Sequence, residues 1–275
     1  MNAISLGPFV FSNDRFIAIV TVLVFLAAAE IIAWHRPDHR DAIRHWTGTA
    51  FVVWVIAARL GFVITHWGAF AASPWTVFAI WQGGFDIRAG IFGLVATVAA
   101  VFLRHPRAGV PVILSIAAGT IAFGLTTLAL PDETHGQIPT EAFADLSGAP
   151  VNLATQDGRP LVLNLWATWC PPCRREMPMM VDVAQSLDGA QDGVRIVFAN
   201  QGEQARSINE FLDLTDLPPG GMIRDPSSAL MQEFDLLGLP STLFFAGDGS
   251  LQSVHTGEIS RAALLAGIDA LKATP

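Results

Sequence analysis

Residues 166–173 contain both cysteines of the 275-residue chain, in the order Trp166-Ala167-Thr168-Trp169-Cys170-Pro171-Pro172-Cys173. This run directly follows a short apolar segment, residues 161–166, that is typical of a buried strand. Apolar residues then recur at helical spacing from Pro172 to Leu187. Two cysteines this close cannot form the disulfide framework of a small secreted fold, so they are either a redox pair or half of a metal site. A strand before the pair and a helix after it favour the redox pair.

The spacing of the two cysteines suits thiol chemistry. Two intervening residues let one helical turn bring the sulfurs within disulfide range, where the Cα atoms are about 4.4–6.8 Å apart. Cys170 would begin the helix, where unpaired backbone N–H groups and the positive end of the helix dipole lower a thiol pKa from about 8.5. Cys173 would be shielded one turn further in and would resolve a mixed disulfide. Pro172 is tolerated because the first helical turn needs no backbone donor there.

The remainder of the second half alternates between strands and helices. The sequence predicts a strand at residues 194–199, a helix at 207–214, strands at 241–245 and 251–255, and a final helix at 261–271. Gly247-Asp248-Gly249 between the last two strands is a hairpin signal. The strand–helix–strand unit supplies parallel strands and the hairpin supplies an antiparallel edge. This order predicts an α/β thioredoxin-fold domain.

Composition sets the first half apart. Hydrophobic residues make up 52% of the chain and charged residues only 15%, so a membrane class has to be considered first. Four apolar stretches, residues 16–34, 47–67, 86–103 and 109–130, are each roughly long enough to cross a hydrocarbon core, which takes about 20 helical residues. The sequence therefore predicts an α-helical transmembrane bundle of about four spans in residues 1–130. A polar, proline-bounded linker, residues 131–139, would join it to the α/β domain, residues 140–275.

The loops between the spans indicate the orientation. Arg36, Arg40 and Arg44 follow the first span, and Arg104 and Arg107 lie between the third and fourth. By the positive-inside rule both loops are cytoplasmic, which puts both termini on the opposite side of the membrane. The first span has no basic segment before it and no small-residue cleavage site after it, so it is predicted to be retained. We expect a multi-pass protein of the bacterial inner membrane with its C-terminal domain in the periplasm.

Charge excludes one class of partner. Residues 140–275 carry 17 acidic residues against 8 lysines and arginines. Nucleic-acid binding needs a basic surface, so no nucleic acid is expected as a partner. The lipid bilayer is the partner expected for the first half.

The first half resembles the prolipoprotein diacylglyceryl transferase family over about the first 125 residues. The matching segments are Leu6-Gly7-Pro8-Phe9, Ala58-Arg59-Leu60-Gly61-Phe62, and Ile80 to Phe85 leading into Ile87-Arg88-Ala89-Gly90. The family places His-Gly-Gly where this chain has Arg88-Ala89-Gly90, and its later segment with further active residues has no counterpart after Gly124. These departures imply a truncated, degenerate scaffold that serves as an anchor.

The second half closely resembles the TlpA/ResA/CcmG-type membrane-tethered periplasmic thioredoxins, over essentially all of residues 140–275. The resemblance is carried by residues 164–173, by Arg174-Arg175-Glu176-Met177-Pro178, and by Gly238-Leu239-Pro240-Ser241-Thr242. Asn164 stands where general thioredoxins carry an aspartate, and an asparagine there is frequent in the periplasmic branch. The resemblance implies a thiol–disulfide oxidoreductase with a redox-active Cys170–Cys173 disulfide, no other cofactor and no metal.

The resemblance also assigns roles to residues around the pair. Cys170 and Cys173 are the catalytic thiols, and Glu176 is a partly buried acid that tunes the pair and relays a proton to Cys173. Pro240 is implied to be a cis-proline that faces the cysteines. The substrate groove is implied to be lined by Trp169, Pro171, Pro172, Leu239 and Pro240.

Four functions are compatible with these residues. The first is a TlpA-like disulfide reductase, and the second is a thiol oxidase that runs the same residues in reverse, with the reduction potential deciding the direction. The third is Cu(I) handling by the two thiolates, for which His255 is the only histidine in the predicted strands of the domain. The fourth is lipid transfer by the first half, whose family residues are incomplete.

The expected partners follow from the chemistry. Clients would be periplasmic proteins with disulfides, and cytochrome c maturation, disulfide repair and copper-centre assembly all suit the motif. The first half contains no cysteine and cannot pass electrons by thiol exchange. A separate membrane reductant of the DsbD/CcdA type is therefore implied.

Overall fold

The computed structural model describes residues 3–6, 9–71, 74–130, 136–154, 158–187 and 193–273. These residues form two compact units, a helical one in the first half of the chain and an α/β one in the second half. Parts of two predicted segments lie outside the described residues. They are Gly7-Pro8 of the amino-terminal motif and residues 131–135 of the linker.

The helical unit begins with a two-stranded sheet and continues with four long helices. The sheet pairs β1 (Ala3–Leu6) with β2 (Phe9–Ser12). The helices are α1 (Asn13–Trp34), α2 (Arg40–Thr65), the short α3 (Trp67–Ala71), α4 (Ile87–Arg104) and α5 (Pro106–Ala129). Among the described residues, four segments are long and apolar enough to cross a membrane, namely Arg15–Trp34, Pro37–Thr65, Ile87–Arg104 and Pro106–Ala129. The predicted transmembrane bundle is confirmed.

The outer surfaces of the long helices are apolar. Large side chains such as Leu23, Ile64, Phe92 and Leu103 are exposed on α1, α2 and α4. A soluble helix would turn such residues toward a protein core, whereas lipid tails solvate them. The exposed apolar surface thus agrees with a bundle that lies in a bilayer.

The second long helix begins before the predicted span. The predicted span starts at residue 47, whereas α2 starts at Arg40. Two helical turns that contain charged residues therefore precede the apolar stretch. Arg44 forms an ion pair with Glu30 of α1, while Ile43 and Trp46 are buried against neighbouring helices. Polar residues at a helix end lower the mean hydropathy without ending the helix, so hydropathy places the boundary one to two turns late.

Small residues allow α2 and α4 to pack closely. A Cβ atom added at Gly90 would lie 2.7 Å from Nε1 of Trp54, and one at Gly93 would lie 2.8 Å from the Cβ of Ala57. Gly61 of α2 faces Ala89 of α4 in the same way. Helices in membranes associate largely through such close backbone approach, since lipid is as apolar as the side chains.

Arg59 ties α2 to the segment that precedes α4. Its side chain is buried, and Nε, Nη1 and Nη2 donate to the carbonyl oxygens of Val77 (2.9 Å), Gly84 (3.0 Å) and Thr76 (2.8 Å). The guanidinium also lies over the ring of Phe70, 5.5 Å from its centroid. Three hydrogen bonds to backbone carbonyls and the contact with Phe70 give Arg59 a structural role.

We expect Gly93→Ala to loosen the packing of α2 on α4. The new methyl group would overlap Ala57 and approach the carbonyl oxygen of Val53 at 3.3 Å. Overpacking of this kind costs about 1–3 kcal/mol, which outweighs the gain in helix propensity of about 1 kcal/mol. Gly48→Ala is the matched control because nothing lies within 4 Å of the corresponding Cβ position. Thermal unfolding of the full chain in detergent should give a lower midpoint for Gly93→Ala alone, and equal midpoints for the two variants would contradict this packing.

The α/β unit is built on one mixed sheet. Its strands are β3 (Ala142–Asp145), β4 (Pro150–Asn152), β5 (Leu161–Trp166), β6 (Arg195–Gln201), β7 (Met222–Asp225), β8 (Ser241–Phe245) and β9 (Leu251–Thr256). They lie in the order β4-β3-β7-β6-β5-β8-β9. β5 pairs parallel with β6, and β6 pairs parallel with β7, whereas β3, β8 and β9 run antiparallel to their neighbours. The thioredoxin order predicted from the sequence is confirmed.

Helices cover both faces of this sheet. They are α6 (Pro171–Leu187), α7 (Ala205–Thr215), α8 (Ala229–Glu233) and α9 (Arg261–Ala273). β5 lies inside the sheet, between β6 and β8, and all six of its residues are buried. Val162 and Trp166 point into one core cluster with residues of α6, α7 and α9, while Leu163 and Leu165 point into a second cluster that includes Leu230 of α8. Burial on two faces explains why β5 is a continuous apolar run rather than an alternating one.

The described end of the predicted linker pairs with the edge of the sheet. Gln137 forms a β-bridge with Ser250, Ile138 donates its N–H to the oxygen of Gly249 (2.9 Å), and Leu251 donates to Gly136 (3.0 Å). The chain therefore joins the α/β unit at the turn between β8 and β9. The sequence patterns do not predict this pairing, nor the short elements β3, β4, β7 and α8.

Candidate active site

The two cysteines form a disulfide at the start of α6. The S–S distance is 2.07 Å and the Cα atoms are 5.3 Å apart. Cys170 is 3% exposed and Cys173 is fully buried. The backbone N–H of Cys173 donates to Sγ of Cys170 at 3.3 Å, so a helix N-terminal donor is aimed at that sulfur. This is the contact that would favour a thiolate on Cys170 once the disulfide opens.

The loop between β5 and α6 separates two tryptophans. Trp166, the last residue of β5, is fully buried with its ring centroid 5.4 Å from that of Phe211. Trp169 is 68% exposed, next to the buried Cys170. A turn closed by the bond from the N–H of Cys170 to the oxygen of Ala167 (3.2 Å) connects them. Trp169 thus presents an apolar surface beside the disulfide, as the predicted groove requires.

The remaining groove residues lie at the same edge of the sheet. Leu239–Pro240 is a cis peptide bond, which is the geometry that the resemblance implied for Pro240. Leu165 pairs with Ser241 in the antiparallel register of β5 and β8, so Pro240 lies level with Trp166, where β5 ends. Pro171 is exposed and Pro172 is half-buried at the start of α6. The fold thereby places Trp169, Pro171, Pro172, Leu239 and Pro240 at the ends of two adjacent strands, while their contact with a substrate stays a prediction.

Glu176 is more deeply buried than expected. It is 3% exposed, whereas the resemblance implies a partly buried acid. Its Oε1 accepts a hydrogen bond from Nδ2 of Asn164 (3.0 Å), and its Oε2 accepts one from the N–H of Ile259 (2.8 Å). Asn164 also donates to Oγ1 of Thr242 at 3.1 Å. The carboxyl group is therefore held from β5 on one side and from the segment before α9 on the other.

Burial raises the pKa of Glu176 to about 7, since the interior disfavours the charged carboxylate. The hydrogen bonds from Ile259 and Asn164 act in the opposite direction and lower the pKa. Glu258 raises it further and Arg175 lowers it, and these two residues form an ion pair (2.6 Å) at the surface. A carboxyl group with this pKa exchanges a proton readily near neutral pH.

Sequence reasoning missed one acidic residue that binds the loop before Cys170. Glu203 lies in the loop after β6, and its carboxylate accepts hydrogen bonds from Thr168 and Asn200. Loops after adjacent parallel strands meet at one end of a sheet, but no local pattern in the sequence marks Glu203. The pairing of β5 with β6 was needed to see that Glu203 and the cysteine loop are neighbours.

His255, the histidine considered for a copper site, lies on β9. Its Nε2 is 3.3 Å from the backbone oxygen of Glu258. Across the described part of the chain, no group of three or more histidine, cysteine or acidic side chains is placed to hold a metal ion. The geometry therefore gives Cu(I) handling no added support.

Comparison with known proteins divides the chain into the same helical and α/β parts as the structure does. Residues 135–254 match the AhpC/TSA family, and residues 3–130 match the prolipoprotein diacylglyceryl transferase family. The chain joins a diacylglyceryl transferase-like membrane region to a thioredoxin-like thiol–disulfide oxidoreductase domain. Both resemblances stated from the sequence are confirmed.

Individual relatives match the oxidoreductase domain at moderate identity. Thioredoxin-like protein YneN of Bacillus subtilis is 27% identical over 125 residues, which cover 46% of this chain and 72% of the relative. Thiol-disulfide oxidoreductase ResA of Bacillus subtilis is 26% identical over 157 residues, covering 56% and 85%. ResA of Halalkalibacterium halodurans is 32% identical over 115 residues, covering 41% and 62%.

A solved structure of a thiol:disulfide interchange protein from Chlorobium tepidum is similar as well. It is 22% identical, has a TM-score of 0.44, and covers 50% of this chain and 96% of that chain.

We expect the proton on Glu176 to make the domain less stable as the pH rises. In the unfolded chain the carboxyl ionises above pH 4.5, whereas in the folded oxidoreductase it keeps its proton up to about pH 7. The free energy of unfolding therefore falls by about 3 kcal/mol between these two pH values and does not fall further above them. In Glu176→Gln this contribution disappears, because the side chain no longer titrates.

Urea unfolding of the oxidised full chain in detergent, followed by near-UV circular dichroism across this pH range, checks the prediction. In Glu176→Gln the new amide group can present its oxygen to Ile259 and its NH₂ to Asn164, whose Oδ1 has no hydrogen-bond partner. Glu210→Gln is the control, since Glu210 is exposed on α7 and should leave the pH dependence unchanged. Parallel pH curves for wild type and Glu176→Gln would contradict a neutral buried carboxyl.

Proposed function

We propose that this oxidoreductase reduces disulfides of client proteins on the periplasmic side of the bacterial inner membrane. The observation that carries the proposal is the N–H of Cys173, which points at the Cys170 sulfur from the start of α6. Donors at that place stabilise a sulfur anion, and the anion is the form that attacks a disulfide. Trp169 and Pro171 beside it form the exposed surface over which a client would approach.

The exchange consists of two displacements. The Cys170 thiolate attacks one sulfur of the client disulfide, forms a mixed disulfide, and releases the other client sulfur as a thiolate that takes up a proton. Cys173 then loses its proton and attacks Sγ of Cys170, which releases the second client thiol. The client gains two electrons, and the oxidoreductase is left with the Cys170–Cys173 disulfide. Cys173 lies three residues from Cys170 in the same chain, so its attack is intramolecular and faster than exchange with a second protein.

Glu176 is proposed to accept the proton that Cys173 loses in the second displacement. It lies three residues beyond Cys173 on α6, and residues at this spacing share one helical face. With a pKa of about 7 the carboxyl is partly ionised at neutral pH and can accept a proton in a site that water does not reach. The same group returns the proton when the disulfide is reduced again.

The membrane half is proposed to serve as an anchor without lipid-transfer activity. Arg88 stands where the transferase family has a histidine, and its side chain is exposed. Arg59, the buried arginine of this half, is engaged with backbone carbonyls. Because the half contains no cysteine, electrons must come from a second membrane protein with reactive thiols, of the DsbD/CcdA type.

The two cysteines should be separable by mutation. We expect Cys170→Ala to abolish disulfide reduction, because the attacking sulfur is gone. Cys173→Ala should keep the first displacement and accumulate clients as mixed disulfides, since nothing resolves them. Non-reducing gels of cells that express each full-length variant, followed by mass spectrometry of the adducts, test both outcomes. Cys170→Ala is the control that should trap nothing, and undiminished reduction by that variant would end the proposal.

The redox state and accessibility of the same cysteines test whether the protein acts as a reductase and on which side of the membrane it lies. In cells with the membrane reductant we expect the pair to be mostly reduced, and removal of that reductant should leave it oxidised. Because the chain has only two cysteines, a membrane-impermeant maleimide added to intact spheroplasts reports their side of the membrane unambiguously. A pair that is oxidised in unperturbed cells would identify a thiol oxidase instead. Cysteines that react only after lysis would place the domain in the cytoplasm.

A further inference from the structure

The carboxylate of Glu203 connects the loop after β6 to the loop that carries Cys170. Its Oε2 accepts the backbone N–H of Thr168 (2.7 Å), and its Oε1 accepts the hydroxyl of Thr168 (2.5 Å). Nδ2 of Asn200 donates to Oε2 from the other side (2.8 Å). Both oxygens are thus used, and two of the three donors belong to one residue of the cysteine loop.

The sheet brings these residues together. Trp166 pairs with Asn200 at the ends of the parallel strands β5 and β6, so the two loops leave the sheet side by side. Gly202 has φ +78°, a left-handed conformation that turns the chain after β6, and its N–H is bound to the oxygen of Asp225 on β7 (2.9 Å). Asn200 is buried in β6. Glu203 is therefore fixed to the central strands, and the loop with Thr168 is fixed to Glu203.

The loop with Thr168 determines where α6 begins. Thr168 is two residues before Cys170 and lies inside the turn that the N–H of Cys170 closes on the oxygen of Ala167. The direction of the Cys173 N–H toward the Cys170 sulfur depends on this start. In the oxidised protein the disulfide also holds Cys170 against α6. In the reduced protein that covalent link is absent, and the loop relies on noncovalent contacts.

We propose that Glu203 is a positioning residue, whose carboxylate keeps the Cys170 sulfur at the N-terminus of α6 when the disulfide is open. The inference rests on the proposed function only in assuming that the reduced state is the working one. Glu203 acts through Thr168, and its described hydrogen bonds go to Thr168 and Asn200 rather than to either sulfur. Its contribution comes from these hydrogen bonds, and its negative charge as such would work against a nearby thiolate.

The test measures the thiolate of Cys170 directly. In a full-length Cys173→Ala background Cys170 is the only thiol, and its rate of reaction with iodoacetamide is followed against pH. Glu203→Ala should shift the midpoint upward by about one pH unit, toward the value of a free thiol, and slow the reaction about tenfold at neutral pH. Glu203→Gln removes the charge but can still accept a hydrogen bond from Thr168, so it should stay close to wild type.

Other outcomes would overturn the inference. If Glu203→Gln and Glu203→Ala both lowered the midpoint, the charge would be the operative property. If Glu203→Ala lowered only the thermal unfolding midpoint and left the pH profile unchanged, the carboxylate would merely support the fold. Glu210→Ala is the control for loss of a carboxylate, because Glu210 is exposed and pairs only with Arg206 among the contacts described for α7.

A second pair of variants covers the case in which Glu203→Ala fails to fold. Thr168→Val keeps the backbone bond to Glu203 and loses the hydroxyl bond, so we expect a smaller slowing, about threefold. Thr168→Ser keeps both bonds and should restore the wild-type rate. Equal rates for all three residues at position 168 would refute the inference. The reaction with iodoacetamide needs no client, so it tests the positioning role independently of the proposed function. If these shifts were seen but the wild-type protein failed to reduce protein disulfides, the proposed function would be refuted and the positioning role would stand.

Discussion

The site depends on a single contact, the hydrogen bond from the backbone of Cys173 to the sulfur of Cys170. It exists only because a buried strand ends at Trp166 and a helix begins four to five residues later, with the sulfur at its first turn. The contacts around the two cysteines hold this junction between β5 and α6 in place. β5 is fixed on both sides by β6 and β8, the cysteine loop is bound to Glu203, and α6 packs its buried face on the sheet through residues such as Met177 and Met180.

Two carboxyl groups flank this junction, and their environments differ. Glu176 is enclosed by β5 and the segment before α9, so burial favours its neutral form. Glu203 accepts three hydrogen bonds from Thr168 and Asn200, at the carboxyl ends of β5 and β6. One group is therefore suited to exchanging a proton and the other to holding a backbone in place. Under the proposed function, the neutral form of Glu176 would avoid adding a negative charge to a buried site where a sulfur anion forms.

Much of this architecture could be predicted from the sequence, and the gaps have physical causes. The apolar runs of β5 and of the four spans are long and distinctive, and the cysteine motif identified the start of α6. The elements β3, β4, β7 and α8 have only three to five residues each, too few to establish a period. Hydropathy misplaces the start of α2 because Asp41 and Arg44 lower the average without breaking a helix. The position of Glu203 beside Thr168 follows from the pairing of β5 with β6. The burial of Glu176 involves Ile259, which is 83 residues away. Such long-range contacts leave no local pattern.

The bridge between Gln137 and Ser250 has a mechanical consequence. β8 runs from Ser241, which lies level with the end of β5 that leads to the cysteines, to the turn where this bridge lies. The bridge and the cysteines are therefore at opposite ends of the sheet. Residues 136–138 therefore do not cover the end of the sheet that carries the cysteines. Under the proposed function, a client and an electron donor would use this same end of the sheet in turn, and neither would displace residues 136–138.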